Sequence, residues 1–332
     1  MSHASIGSLT VIVPVYNELD NLPELRRRLT AVVGGLGFSG NEVILVSDGS
    51  TDGSEKLMAD FVMDDPLFVA IFLSRNFGHQ AAVSVGLAAA RGDVVCVIDG
   101  DLQDPPEAIP ELLSAITAGA HVAFAIRTRR KESLLKRFAY SLFYRLLQRM
   151  SNIDIPLDSG DFCCMRRCVV DAMLQLPERN RFVRGLRAWV GFKQVGVAYE
   201  RSARFAGRPK YNFWALCKLA YDGIFSFTEL PVKLMQFFGF AVSSTALLVA
   251  VGYAVWRIFS PEVFPSGFAT IAISLWFLAG VQLLFLGVLG EYVVRTFDEV
   301  RRRPIALVRE TLRSRLPGDV VREVPATKGG MQ

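Results

Sequence analysis

Through the first 130 positions, apolar residues come in short runs separated by amphipathic stretches. Residues 9–16 (LTVIVPVY) are apolar and rich in β-branched side chains, and the polar pair Asn17 and Glu18 follows them. Helical spacing of apolar positions then runs from about Leu22 to Val33 and stops at the glycine-rich stretch 34–37. The alternation repeats, with strands expected at Glu42–Ser47, Leu67–Leu73, Asp93–Ile98 and Val122–Ile126, and helices at Asp52–Phe61 and about 80–90. Such a pattern predicts an α/β domain whose central sheet is mostly parallel and covered by helices on both faces. Ligands of such sheets sit beyond the carboxyl ends of the strands. Four polar clusters fall there: Asn17-Glu18, Asp48-Gly49-Ser50, Ser74-Arg75-Asn76 and Asp99-Gly100-Asp101.

The second half has a different pattern. No charge occurs from Leu234 to Trp256, 23 residues, or from Val263 to Gly290, 28 residues. Each run exceeds the roughly 20 apolar residues that cross a bilayer as a helix. The expectation is a two-helix transmembrane hairpin, with spans at about 234–257 and 266–289. Residues 212–233 carry Phe213, Trp214, Tyr221, Phe225 and Phe227 among few charges, which suits amphipathic helices lying in the membrane interface. Residues 1–211 would then be the catalytic domain and 291–332 a cytoplasmic C-terminal tail. Basic residues flank the pair on both outer sides (Arg201, Arg204, Arg208, Lys210, Lys218 and Lys233 before; Arg295 and Arg301 to Arg303 after), while the connecting loop holds one arginine and one glutamate. Both termini are therefore expected in the cytoplasm.

Composition changes this picture little. Mean hydropathy is +0.32 and the net charge +5, with pI near 9.0. Because the cations crowd the membrane flanks, anionic headgroups and a phosphate-bearing substrate account for them better than nucleic acid does. The N-terminal segment lacks the apolar core of a signal peptide. The five cysteines show no framework spacing and read as reduced thiols.

Asp99-Gly100-Asp101 is the candidate centre: two carboxylates on a turn after a strand suit a hard divalent ion and the phosphates it bridges. Asp48 suits hydrogen bonds from a base or ribose, although a helix-capping role for it, as for Asp52, stays open. Asn17 and Glu18 can equally start a helix. Arg75 and His79 are candidates for phosphate contact, and Asp104 and Glu107 are expected to cap a helix begun by Pro105 and Pro106. Arg127, Arg129, Arg130, Lys131, Arg204 and Lys210 are candidate anion contacts.

The series VPVYNE (13–18), DGSTD (48–52), SRNFGH (74–79), DGDLQDPPE (99–107), SGDF (159–162), PERNRFVRG (177–185), GRPKYN (207–212) and GEYVVRTFDEVRRRP (290–304) resembles the polyisoprenyl-phosphate glycosyltransferases, inverting enzymes of the GT-A fold. The likeness is strongest to bacterial members that load glucose onto undecaprenyl phosphate. It implies a UDP-sugar site at Pro14, Tyr16, Glu18, Asp48 and Arg75, metal contact by Asp101 with Asp99, and Gln103 near the sugar. It also implies Asp161 as the carboxylate nearest the reaction, and Arg127, Arg204 and Lys210 facing the acceptor phosphate. Mg2+ or Mn2+, a polyprenyl phosphate lipid, a bacterial inner-membrane location, a homotetramer, and a flippase and glycosyltransferase downstream belong to the same implication. Two positions depart from the pattern: Cys163 follows the GDF triplet where relatives often carry arginine, and His79 stands where they often carry lysine. GDP-mannose, UDP-GlcNAc or UDP-galactose as donor remain alternatives, as do a processive polysaccharide synthase and a non-catalytic nucleotide-binding membrane protein.

Overall fold

The structure, a computed structural model, describes residues 6–127, 159–178, 181–199, 230–259, 267–314 and 319–323. Arg129, Arg130, Lys131, Arg204, Lys210 and the interfacial stretch 212–229 lie outside them.

The first half forms the elements that its periodicity predicts. Strands β1 (Leu9–Val15), β2 (Glu42–Ser47) and β3 (Phe68–Leu73) are buried at every position, as expected of strands covered on both faces. Helices α1 (Leu22–Gly34), α2 (Ser54–Asp64) and α3 (His79–Ala89) connect them and lead to β4 (Val94–Val97). A short turn at Pro106–Ala108 precedes α4 (Ile109–Thr117), and β5 spans Val122–Arg127. Beyond the next described stretch come β6 (Ser159–Arg166), α5 (Arg167–Leu174), α6 (Val183–Trp189) and β7 (Gln194–Tyr199). Two long helices follow, α7 (Leu230–Phe259) and α8 (Phe268–Val300), and then β8 (Val308–Ser314) and β9 (Val320–Glu323).

The strands form one sheet in the order β7-β5-β6-β4-β1-β2-β3-β8-β9. Alternation splits its side chains between two cores. Leu9, Val11, Val13 and Val15 face α1, α2 and α4, where Leu25, Leu29, Met58, Phe61 and Leu112 meet them. Ile12, Ile44, Val46 and Ile71 face the other way, towards Ala82, Val83 and Leu87 of α3, Val169 and Met173 of α5 and Leu186 of α6. Each fully buried aliphatic side chain contributes about 1.5–3 kcal/mol. α3 packs so closely on β1 that a Cβ on Gly86 would lie 2.4 Å from Ile12 Cγ2.

The expectation of a mostly parallel sheet is corrected: the sheet is mixed. β1 pairs in parallel with β2 and β4, β2 with β3, and β5 with β7. β6 runs antiparallel between β4 and β5, and β8 runs antiparallel beside β3 and β9. Periodicity could not show either insertion, because polar and cysteine residues interrupt β6 (SGDFCCMR) and charges alternate through β8 (VRETLRS). Ion pairs hold β8 where apolar burial is thin: Arg309 to Glu55 at 2.6 Å and Arg313 to the buried Glu42 at 2.8 Å. Residues 308–314, expected in a tail, thus belong to the sheet.

The chain divides into two compact units: the sheet with its covering helices and the residues from Pro304 onward, and the long helices through Arg303. Within the second unit, Phe237, Phe240 and Leu248 of α7 and Ile271, Leu275, Leu283 and Leu286 of α8 are exposed, an apolar surface far larger than a soluble helix leaves open. Among the described residues one segment, Phe277–Val300, is long and apolar enough to cross a membrane.

Candidate active site

The four polar clusters lie at the carboxyl ends of β1 to β4, and hydrogen bonds join the turns after β1, β2 and β3. The Asn17 side chain accepts the Thr51 N–H (2.8 Å), and the Asn17 N–H donates to Ser50 Oγ (3.1 Å). The Glu18 N–H donates to Ser54 Oγ (3.1 Å). Asp48 accepts the N–H groups of Phe77 (2.7 Å) and Gly78 (2.9 Å), one on each carboxylate oxygen. The β2 and β3 turns meet so tightly that Gly49, at φ +70°, leaves no space for a side chain: a Cβ there would lie 2.6 Å from the Arg75 carbonyl carbon.

Asp101 Oδ1 accepts the Gln103 N–H (3.1 Å) in a turn that carries Leu102 at φ 58°. A leucine in the left-handed region is unfavourable and persists because its side chain is locked into the core at 1% exposure. This turn carries Asp99 and Asp101, both half-buried, past the end of β4.

β6 supplies the third carboxylate. Asp161 is buried, and Arg184 of α6 binds it with both arms, Nε to Oδ1 at 2.6 Å and Nη2 to Oδ2 at 3.1 Å. His79, the first residue of α3, sits with Nε2 3.2 Å from Asp161 Oδ2 and 3.8 Å from Asp99 Oδ1. Two strands and two helix starts thus bring together groups separated by up to about a hundred residues.

The electrostatics differ from group to group. Burial raises the Asp99 carboxyl to about 6, with Asp161, Asp104 and Asp101 pushing the same way and His79 opposing. Burial would also raise Asp161, but the Arg184 and His79 charges outweigh it and hold the group well below the usual carboxylate range. For His79, burial disfavours the charged form, yet the hydrogen bond to Asp161 and the charge of Asp99 prevail and raise it to about 8. Asp48 is raised by burial, against the pull of its two backbone donors.

Ligand atoms of His79, Asp99 and Asp161 lie within 4.8 Å of one another, a spacing that could hold a metal ion. Two of the three already have partners: Asp161 is bound by Arg184 on both oxygens, and His79 lies against Asp161. Asp99 is different, since its Oδ1 is buried and has no hydrogen-bond partner. An orphaned carboxylate oxygen beside further carboxylates fits a hard divalent cation.

The remaining candidates fall as follows. Pro14 is buried in β1, its carbonyl 3.2 Å from where a Cβ on Gly100 would stand. Tyr16 is exposed, and Glu18 accepts from the Asn21 side chain at the start of α1. Arg75 is exposed and lies over the Phe77 ring at 4.1 Å. Gln103 is half-buried beside Asp101. Arg127 ends β5 opposite Tyr199 of β7. Asp52 is not the cap of α2, whose N-cap is Gly53; it accepts the N–H of Ser54 (3.0 Å) and of Leu19 (3.1 Å) and so ties the β1 turn to the start of the helix.

The capping roles expected of Asp104 and Glu107 are corrected. Asp104, fully buried, accepts the hydroxyl of Tyr199, and Glu107 pairs with Arg28. Sequence reasoning gave Arg184 no role. Its one signal was a place in PERNRFVRG, and nothing local says that a short helix carries it to a strand some twenty residues earlier.

Comparisons with known proteins follow the same outline. The sequence model described as "Glycosyl transferase family 2" matches residues 10–174, from β1 through α5, and so includes Asp48, Asp99, Asp101 and Asp161. An uncharacterized glycosyltransferase of Synechocystis is 42% identical over 90% of this chain and 94% of its own length. A prophage bactoprenol glucosyl transferase homolog of Escherichia coli is 36% identical over 91% of this chain and 98% of its own. An undecaprenyl-phosphate 4-deoxy-4-formamido-L-arabinose transferase of Pseudomonas fluorescens is 34% identical over 93% and 91%. With this similarity running the length of the chain, and with its carboxylates gathered at the end of an α/β sheet, the chain belongs to glycosyltransferase family 2.

Proposed function

We propose that this enzyme transfers glucose from UDP-glucose to the phosphate of undecaprenyl phosphate at the cytoplasmic face of a bacterial inner membrane. The observation that carries this reading is end-to-end similarity to bactoprenol glucosyl transferases in a chain with the carboxylate cluster described above. A phosphate monoester has a second pKa near 6, so the acceptor oxygen is already ionised at neutral pH and requires no strong base. It attacks the anomeric carbon from the face opposite UDP; the new C–O bond forms as the bond to the diphosphate breaks, and the configuration inverts. Asp161, held far below the usual carboxylate range, is a poor proton acceptor; its part is to orient groups around the reacting centre.

In this reading Pro14, Tyr16, Glu18, Asp48, Arg75, His79 and Gln103 surround the nucleotide sugar. Asp99 and Asp101 would hold Mg2+ or Mn2+, and Arg127, Arg204 and Lys210 would meet the acceptor phosphate. When bound, such a cation neutralises charge on the departing diphosphate. The cationic side chains offset repulsion between an anionic acceptor and an anionic donor by being fixed in advance.

The proposed membrane arrangement is a catalytic region over 1–211, interfacial helices over 212–233, spans at about 234–257 and 266–289, and both termini inside. Sheet topology supports it. β3 and β8 are neighbours in one sheet yet flank α7 and α8 in sequence. A chain whose Phe277–Val300 segment crosses a membrane must cross once more to return to that sheet. At 30 residues, α7 is about 45 Å long, enough for a second span. The homotetramer is part of the same proposal and is measurable as particle mass in detergent.

The deciding experiment offers purified enzyme undecaprenyl phosphate with UDP-glucose, UDP-galactose, UDP-GlcNAc or GDP-mannose. Glucosyl lipid should form from UDP-glucose, stop with EDTA and resume with magnesium or manganese. Equal or better transfer from another donor overturns the donor assignment, and activity in excess chelator overturns the cation. Reporter fusions at Met1 and Gln332 should both read inside; one reading outside removes the hairpin.

A further inference from the structure

Asp161 is a buried carboxylate on a strand, and a single strand residue has no means of holding its own side chain in one orientation. Arg184 provides it. The two N–H···O bonds from one planar guanidinium, 2.6 and 3.1 Å, fix both position and rotation of the carboxylate plane, which a lysine cannot do. An ion pair as buried as this adds little net stability over an apolar pair of equal volume, so its value lies in geometry.

The surroundings of Arg184 are built to deliver it. α6 has only seven residues, too few to persist alone, and side chains hold it from outside. Arg181, three residues before Arg184, donates to the carbonyl of Met173 at the end of α5. Arg187, three residues after it and almost fully buried, lies over the Phe124 ring at 5.2 Å. The Arg187 carbonyl accepts from the Gln194 side chain at 2.9 Å. A further bond links the two segments that flank the carboxylate: Gln80, next to His79, accepts the N–H of Val183, next to Arg184, at 2.9 Å. The distance between the histidine and the arginine on either side of Asp161 is thereby set by a direct contact between their neighbours.

We propose that Arg184 is the positioning residue of this site: it holds the Asp161 carboxylate in one orientation, and through Asp161 keeps His79 beside Asp99. Arg184 touches none of the reacting atoms in this scheme. It acts by removing the freedom of a carboxylate that would otherwise rotate and break its contact with His79. The inference rests on the proposed transfer reaction for its kinetic consequence, and on geometry alone for the pairing.

The test is a double-mutant cycle with Arg184→Ala, Asp161→Asn and the double variant, read in thermal unfolding and in kcat. Arg184→Ala should lower kcat at least about a hundredfold while the KM for UDP-glucose moves less than about threefold. In the Asp161→Asn background the same change should cost less than about threefold, since the partner charge is gone. Guanidinium chloride at low millimolar levels should restore part of the Arg184→Ala activity, and Arg184→Lys should fold normally yet stay well below wild type. Additive losses in kcat, or full activity in Arg184→Lys, overturn the inference; so does a cycle with no coupling in unfolding, whatever the reaction. Failure of the wild-type enzyme to transfer sugar to lipid would count against the proposed function alone, because the unfolding arm still decides the pair.

Discussion

Asp48 and Asp99 follow the two strands that flank β1, and both are carboxylates whose burial raises them above their ordinary range. They end in opposite situations. Asp48 places each oxygen on a backbone N–H of the β3 turn and thereby closes the junction between two loops. Asp99 has an oxygen with no hydrogen-bond partner and stands among Asp101, Asp104, Asp161 and His79. One carboxylate is anchored by the fold through both oxygens, whereas the other keeps an oxygen without a hydrogen bond where like charges accumulate. The second arrangement suits a cation or a substrate that completes it. Two Asp-Gly turns that look alike in sequence thus differ in what the neighbouring loop brings to them.

The strongest way to break this contrast is Asp99→Asn. Transfer should fall at least about a hundredfold with magnesium present, while thermal stability holds or rises because a buried charge is removed. Near-normal transfer would mean that Asp99 is structural after all.

Asp48→Ala should do the reverse in kind. It leaves two N–H groups in a buried junction unsatisfied and should cost about 2–4 kcal/mol of stability, measured by denaturant unfolding. An unchanged midpoint would show that the loop does not depend on it. Gly49→Ala sharpens the same point from the backbone side, through a left-handed φ and a Cβ placed against Arg75; about 1–3 kcal/mol should be lost.

The smallest effect is a titration. In metal-free protein the His79 ring should titrate near 8 by NMR and move back towards its ordinary 6.5 in Asp161→Asn. Since its folded value is the higher, the stability it contributes is complete below about 6.5 and is lost as pH rises through 8. Wild-type stability that stays flat across this window relative to His79→Gln would refute the pairing of His79 with Asp161.

Legibility in the sequence followed the range of the interactions. β1 to β5 and the helices among them were readable because alternation and helical spacing are local, and the convergence of four turns follows from parallel strands ending on one edge. β6 and β8 were not readable. Asp161 could be suspected only through the SGDF motif of a resembling family, and its partner Arg184 had no role assigned.

By itself, then, the sequence determined the α/β order, the apolar helices of the second half and the set of carboxylates at strand ends, because each depends on composition within a few residues. Tertiary structure alone decided that Asp48 accepts two N–H groups from the loop beside it, that Arg184 binds both oxygens of Asp161, and that residues 308–314 return to the sheet beside β3. Those outcomes depend on which surfaces meet across tens to hundreds of residues, and the pairing of a buried charge is set by what packing brings within hydrogen-bond reach.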